Sequence, residues 1–368
     1  MGVKLLMLHN VTKGMKIAED VYKGSQLIVK KNKEVTQEVL DVLHFSDIIS
    51  VTVYDGKDDE TPKPTPEKPA NETKNAAPSH SERLRQTETF KKFEESFHET
   101  TDKFKVALND IARNQNAVPV DDLFASANNI MEHATNTYQL MDILSNIRYF
   151  DDSTYAHSLN VALLANILGR WLRFNDEELK NITVSGMLHD IGKVLLPKEI
   201  IQKPSGLTEE EYQIVKSHPM EGYKVLMSKG VDENMANAAL FHHEKCDGSG
   251  YPNGFTGDQI CDTAKIIAII DVYEAMTANR VYRDGICPFK VIRIFEDEGY
   301  AKYDPKYMLP FLRGIADTYL HNNVLLSDGR DGEIILTNTT TPSKPSLMVG
   351  GQFVDLSKTP GLTIEKIL

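Results

Sequence analysis

The feature that most constrains this sequence is a set of ionisable residues planted in its most apolar segments. From Val120 to about Asp317 the pattern is almost entirely helical, broken by turn-forming loops at PSGLT, DGSGYPNG and VYRDGICP. Within that stretch GMLHDIGK sets His189 beside Asp190, and KIIAIIDVYEAM carries Asp271 in a run where an unpaired carboxylate would be prohibitively costly. Five of the eleven histidines, His157, His189, His218, His242 and His243, lie in this stretch, each in a segment that also carries a carboxylate, a lysine or a glycine turn. His157 stands in YAHSLNVALLANILG, whose other residues on that face are apolar, His218 opens a helix in KSHPMEGYKVL, and His242 and His243 end the apolar run MANAALFHHE.

An isolated His-Asp pair is equally the mark of a buried, hydrogen-bonded histidine. Five imidazoles with two carboxylates match two divalent transition metals instead. One division puts His157, His189, Asp190 and Asp271 on the first ion and His218, His242 and His243 on the second, with Asp190 bridging. Imidazole with carboxylate suits iron, manganese, zinc or nickel rather than magnesium or calcium. Two such ions can hold a bridging hydroxide and clamp both oxygens of an in-line phosphoryl displacement. Lys193 follows His189 by four residues, which on one helix places a cation on the same face, ready for a phosphate. Lys193 and Asp190 are therefore the candidate catalytic residues.

The rest of the chain frames this region. Residues 1–56 alternate like strands in VKLLMLHNV, SQLIVKK and DIISVTVY, with the helical stretch TQEVLDVLHF among them, which predicts a small α+β module. Residues 57–81 hold five prolines and no large apolar side chain, a solvated linker. Residues 82–147 form a helical connector, opening with one long charged amphipathic helix. Phe90, Phe93, Phe97, Phe104 and Leu108 line one of its faces. That face either meets a partner helix in a homodimer or covers the chain's own catalytic domain, residues 148–320. Residues 321–368 predict a β-rich tail, with a hairpin turn at Asp331 and Gly332. The fold class is mainly α.

A net charge of -12 argues against general nucleic-acid binding, though not against a small anionic ligand at a metal cluster. No run of 18 apolar residues spans a membrane. MGVKLLMLHN is interrupted too early for a signal peptide, and Leu6 stands where a myristoylation signal wants Ser or Thr. Cys246, Cys261 and Cys287 lack CxxC spacing and read as reduced thiols in a cytoplasmic protein.

The order H…HDIGK…HP…HHEKCDGSGYP…D over residues 148–320 resembles the HD-GYP family of bacterial cyclic di-GMP phosphodiesterases, a branch of the HD superfamily of metal-dependent phosphohydrolases. The resemblance implies hydrolysis of cyclic di-GMP to pGpG, and in some members to GMP, in signal transduction, with iron or manganese as the metal. It places the family's ligands on His157, His189, Asp190, His218, His242, His243 and Asp271, and its phosphate-binding lysine on Lys193. Arg280 and Arg283 match basic positions that face the substrate; a guanidinium suits phosphate or guanine, and a helix-end salt bridge is the bland alternative. Gly250, Tyr251 and Pro252 shape the substrate pocket or a docking surface for a diguanylate cyclase, or merely form a rigid turn. Glu244 orients a ligand imidazole or is a solvated charge.

The sequence departs from the family pattern at a few positions. Ser153 stands where some members carry a glutamate for a third metal, so two metals are expected. Asp151 and Asp152 nearby read as a solvated helix start. Lys245 and Cys246 follow HHE, and Glu274 replaces a residue that is commonly Asp or basic. The rivals are a phosphohydrolase acting on cyclic GMP-AMP or a nucleoside triphosphate, and a cyclic di-GMP sensor with little turnover.

Overall fold

The computed structural model describes residues 3–7, 11–23, 26–45, 50–54, 80–114, 116–147, 154–201, 203, 207–278 and 285–368. Arg280, Arg283, Asp151, Asp152, Ser153 and linker residues 57–79 therefore lie outside the described residues. The chain divides into two compact units, residues 1–79 with 202–210, and residues 80–201 with 211–368.

In the first unit the alternating segments form β1 (Val3–Met7), β2 (Val21–Lys23) and β3 (Gln26–Val29), then α1 (Gln37–Phe45) and β4 (Ser50–Tyr54). β1 pairs antiparallel with β4, Val3 opposite Tyr54, and β2 pairs with β3. Ile17, Val35, Leu43, Val51 and Val53 are almost fully buried in one core. This is the α+β module expected.

The second unit begins with α2 (His80–Gln86) and α3 (Glu88–Arg113). The single long helix expected here is two. Thr87 sits in extended geometry and its hydroxyl accepts from the Phe90 N–H, capping a new helix. The apolar face of α3 is spent inside its own chain, with Phe90, Phe93, Phe97, Phe104, Leu108 and Ile111 all at most 2% exposed. Full burial of each phenylalanine is worth roughly 1.5–3 kcal/mol. Arg113 donates to the Val194 carbonyl at 2.9 Å, and Asn109 to the Tyr155 hydroxyl at 2.9 Å. Of the two roles open to this face, covering the chain's own helices is the one it plays.

α4 (Val120–Met131), α5 (Thr137–Asn146), α6 (Thr154–Trp171) and α7 (Asp176–Leu188) follow, then a 3-10 turn at Ile191–Leu195. After these come α8 (Lys198–Ile201), α9 (Glu209–Val215), α10 (His218–Ser228), α11 (Glu233–Phe241), α12 (Asp262–Thr277), α13 (Pro288–Lys302) and α14 (Pro305–Thr318). α6 and α12 are buried almost all round, as helices at the centre of a bundle must be. The fold is mainly helical.

The tail forms β5 (Asn323–Leu326), β6 (Asp331–Leu336), β7 (Ser346–Val349), β8 (Gln352–Asp355) and β9 (Ile364–Ile367). They make one antiparallel sheet in the order β8-β7-β6-β5-β9. Its first turn lies earlier than Asp331–Gly332. Asp331 already pairs with Leu325, and the chain reverses over residues 327–330, where Gly329 has φ +86°. Ser-Asp-Gly supplies the turn chemistry, so the second Asp-Gly is free to join the strand.

Candidate metal centre

Five helices and one turn deliver the ionisable side chains to one place. α6 carries His157 near its start; His189 ends α7; Asp190 precedes the 3-10 turn. His218 opens α10, His242 ends α11 with His243 next, and α12 contributes Asp271 and Glu274. Lys193 arrives differently from the sequence expectation. α7 stops at Leu188, so His189 and Lys193 do not share an α-helical face. The turn packs against α10 at Gly192, where a Cβ would stand 2.0 Å from the His218 carbonyl oxygen and 2.7 Å from Gly222 N. Only glycine fits that approach. Lys193 instead lies three residues beyond Asp190, its Nζ donating to Asp190 Oδ2 at 2.6 Å.

Asp190 is the centre of the arrangement. Its Oδ2 lies 3.5 Å from His189 Nε2 and 3.8 Å from His157 Nε2, while its Oδ1 lies 3.3 Å from His218 Nε2 and 3.7 Å from His242 Nε2. Each oxygen of one carboxylate thus faces a different pair of imidazoles. Asp271 Oδ1 lies 3.0 Å from His157 Nε2 and 4.0 Å from His189 Nε2, and its Oδ2 lies 4.0 Å from His243 Nδ1. Donor atoms converge within 4.8 Å of one another in three groups: His157 with His189 and Asp271, His189 with Asp190 and His242, and His218 with His242 and His243.

The ring nitrogens turned away from this centre are already engaged. His189 Nδ1 donates to the Gly186 carbonyl at 2.8 Å, His218 Nδ1 to Val215 at 2.7 Å, and His242 Nδ1 to Ala239 at 2.9 Å. Those bonds fix the tautomer that leaves Nε2 with a lone pair facing inward. Two buried atoms at the centre, His189 Nε2 and Asp190 Oδ1, have no well-formed hydrogen bond. Buried polar atoms without partners are rare in stable folds. Imidazole nitrogens and carboxylate oxygens aimed at one spot fit a divalent transition metal.

Charge states agree with that donor set at every shifted residue but His157, whose proton an ion would have to displace. Burial, then the neighbouring imidazoles, hold His242 and His243 well below the usual histidine range. Burial likewise lowers His189. Three histidines are therefore neutral, as metal binding requires. Burial opposes the ionised form of Asp190, but Lys193, His189 and His218 outweigh it and hold the carboxyl well below its normal range. The same contest, won by His157, holds Asp271 low. His157 differs: burial alone would lower it, but Glu274 and Asp271 push it up to about 10.

Glu274 is the residue whose importance the sequence reading missed. It is 3% exposed, accepts from His157 Nδ1 at 2.6 Å, and accepts from Asn160 Nδ2 at 3.1 Å. The cost argument that singled out Asp271 applied equally to a second carboxylate three residues later. Glu244 is also buried, and neither of its expected roles describes it. Its carboxylate accepts from Asn253 N at 2.7 Å and Phe255 N at 3.0 Å, stapling the loop that follows Gly250, Tyr251 and Pro252. A Cβ on Gly250 would stand 2.4 Å from Glu244 Cα, so the loop lies flat on the His243–Glu244 backbone. Tyr251 stacks on the His243 ring at 4.6 Å between centroids.

A cluster of this kind on a helical scaffold could hold metal ions, and the sequence comparisons say what the chain resembles. Residues 130–307 match the HD domain family. A cyclic di-GMP phosphodiesterase of Pseudomonas aeruginosa is 32% identical over 217 residues, 59% of this chain and 50% of that protein. A cyclic di-GMP phosphodiesterase response regulator of Xanthomonas campestris pv. campestris is 33% identical over 196 residues, 53% of this chain and 51% of its own length. A 3'3'-cGAMP-specific phosphodiesterase of Vibrio cholerae is 38% identical over 145 residues, 39% of this chain and 34% of that one. This chain is thus similar to HD domain proteins over residues 130–307. It spans about half the length of the two cyclic di-GMP relatives.

Proposed function

We propose that this protein is a metal-dependent phosphodiesterase that hydrolyses cyclic di-GMP to pGpG, with GMP as a further product to be tested for. The observation that carries the reading is Asp190, one carboxylate shared between two groups of inward-facing imidazoles. His157, His189 and Asp271 would hold one divalent ion and His218, His242 and His243 the other, with Asp190 between them and iron or manganese as the metal. Such a pair, when bound, supplies an activated water and neutralises charge at phosphorus.

The protein's own groups do the remainder. Lys193 sits at the lip of the site, its side chain 24% exposed, so its ammonium is placed to take a phosphate oxygen as charge develops there. Buried Asp190 and Asp271 stay ionised and so hold their positions without a proton to lose. Tyr251, seated on His243, forms part of the wall beside the cluster. Arg280 and Arg283 remain candidates for the substrate phosphates or guanine edges. The outward side of the loop, Pro252 and Asn253, is exposed and suits a diguanylate cyclase partner. The two-sided similarity to cyclic di-GMP and 3'3'-cGAMP enzymes makes cyclic GMP-AMP the second substrate to test.

The test is hydrolysis of cyclic di-GMP and of cyclic GMP-AMP by protein reconstituted anaerobically with Fe(II) or Mn(II), beside Asp190→Ala. Formation of pGpG or GMP, lost in Asp190→Ala, is the expected result. Faster turnover of cyclic GMP-AMP would reassign the substrate. Tight cyclic di-GMP binding without turnover at full metal load would make the protein a sensor.

A further inference from the structure

The histidines of the cluster are not held alike. His189, His218 and His242 each give Nδ1 to a backbone carbonyl three residues earlier, at 2.8, 2.7 and 2.9 Å. Those carbonyls belong to the last turns of α7, α9 and α11, where the final C=O groups of a helix lack an intrahelical partner. His157 stands in the first turn of α6, where the unsatisfied backbone groups are N–H donors. Its Nδ1 pairs with a group on another element. It finds Glu274 Oε2 on α12, at 2.6 Å. The second oxygen, Oε1, accepts from Asn160, one turn beyond His157 on the same helix, at 3.1 Å. Asn160 Oδ1 is left buried with no partner, so this residue gives up one hydrogen bond to make the other.

Glu274 lies behind the His157 ring, on the side opposite Nε2, which faces Asp271 at 3.0 Å. It therefore acts through the imidazole and not as a ligand itself. A carboxylate is a stronger acceptor than a carbonyl and raises the basicity of the ring it holds. The charge around the cluster is lopsided as a result. The His157, His189 and Asp271 group has Glu274 behind it, while the His218, His242 and His243 group has neutral carbonyls behind two of its rings.

We infer that Glu274, braced by Asn160, is a positioning residue that makes the two ends of the cluster unequal, so that the ion held through His157 binds more tightly and is filled first. The inference rests on the metal-centre reading above. The test titrates chelator-treated protein with Mn(II) alone and counts free ion by electron paramagnetic resonance. Wild type is expected to take up two ions with distinct affinities. Glu274→Gln, nearly isosteric, should weaken the tighter ion about ten- to a hundredfold and leave the other within about twofold. Asn160→Ala, which keeps the carboxylate, should weaken the same ion about threefold to tenfold, and serves if Glu274→Gln fails to fold.

A double-variant cycle separates positioning from general support. In a His157→Ala background, Glu274→Gln should change Mn(II) affinity by less than about twofold. An equal loss there would show that Glu274 acts on the fold and would overturn the inference. Unchanged affinities in Glu274→Gln with two ions still bound by wild type would overturn it alone. Wild type that takes up no Mn(II) would overturn the metal-centre reading and this inference with it.

Discussion

The helices around the histidine cluster and the C-terminal sheet bury their interiors on different terms. The sheet buries Val324, Leu326, Ile334, Leu347, Val349 and Ile364, together with the small hydroxyl of Ser346. The helices bury His189, Asp190, His218, His242, Asp271 and Glu274, all at most 8% exposed. Desolvating an ionised group costs several kcal/mol unless partners compensate, so the helical interior gives up stability that the sheet keeps. The difference separates an interior that only packs from one that packs and also holds the ionisable cluster.

The contrast breaks most visibly at its two extremes. On the proposed reading Asp190→Ala should lower turnover about a thousandfold or more, since both ion positions would lose their common ligand. Ile334→Ala should cost about 2–5 kcal/mol of stability, read as a lower denaturant midpoint, with kcat of the folded protein within about twofold. A comparable loss of kcat in both would erase the distinction. Lys193→Ala comes next: losing a charge-assisted contact worth about 1.5–3 kcal/mol should lower kcat/KM roughly ten- to a hundredfold, while Mn(II) uptake stays at two ions. Loss of an ion in that variant would assign Lys193 to the cluster and not to the substrate.

Glu244→Ala tests the boundary between the two regimes. Leaving the Asn253 and Phe255 N–H groups unpaired should cost about 1–3 kcal/mol locally, raising KM several-fold before metal affinity moves. The smallest effect is on pH. His157, pushed up from 6.5 to about 10 in the metal-free protein, contributes stability that is whole below pH 6.5 and is lost as pH rises toward 10. Chelator-treated protein should lose about 1 kcal/mol per pH unit between pH 7 and 9, a fall of roughly 2–4 °C in Tm per unit. His157→Ala should flatten that slope. Asp190 and Asp271, held low, act with the opposite sign and matter only in acid.

Much of this was legible before any coordinates, for one physical reason. An ionisable residue in an apolar run is expensive, and His157, His189, Asp190, His242, His243 and Asp271 announced themselves that way; His218 entered only through its company, and the structure brings all seven together. Glu274 carried the same signal and was passed over as a family variant. What failed was local geometry. α7 ends at Leu188 and the turn that follows lies against α10 at Gly192, a long-range contact that no helical periodicity contains. The break between α2 and α3 rests on one hydroxyl cap at Thr87. The first turn of the sheet was misplaced because two Asp-Gly pairs compete for it, at Asp328 and Asp331, and only strand register decides between them.

The bonds from His189, His218 and His242 to carbonyls three residues back have a consequence over generations of sequence change. Each imidazole finishes the end of a helix whether or not a metal is present. A descendant that abandoned catalysis would still be held to these three histidines by its need to fold. Asp190, Asp271 and Glu274 carry no such obligation, being costly to bury and useful only to the cluster. Decay of activity in such a lineage would be written first in its carboxylates, and there a reader of related sequences should look.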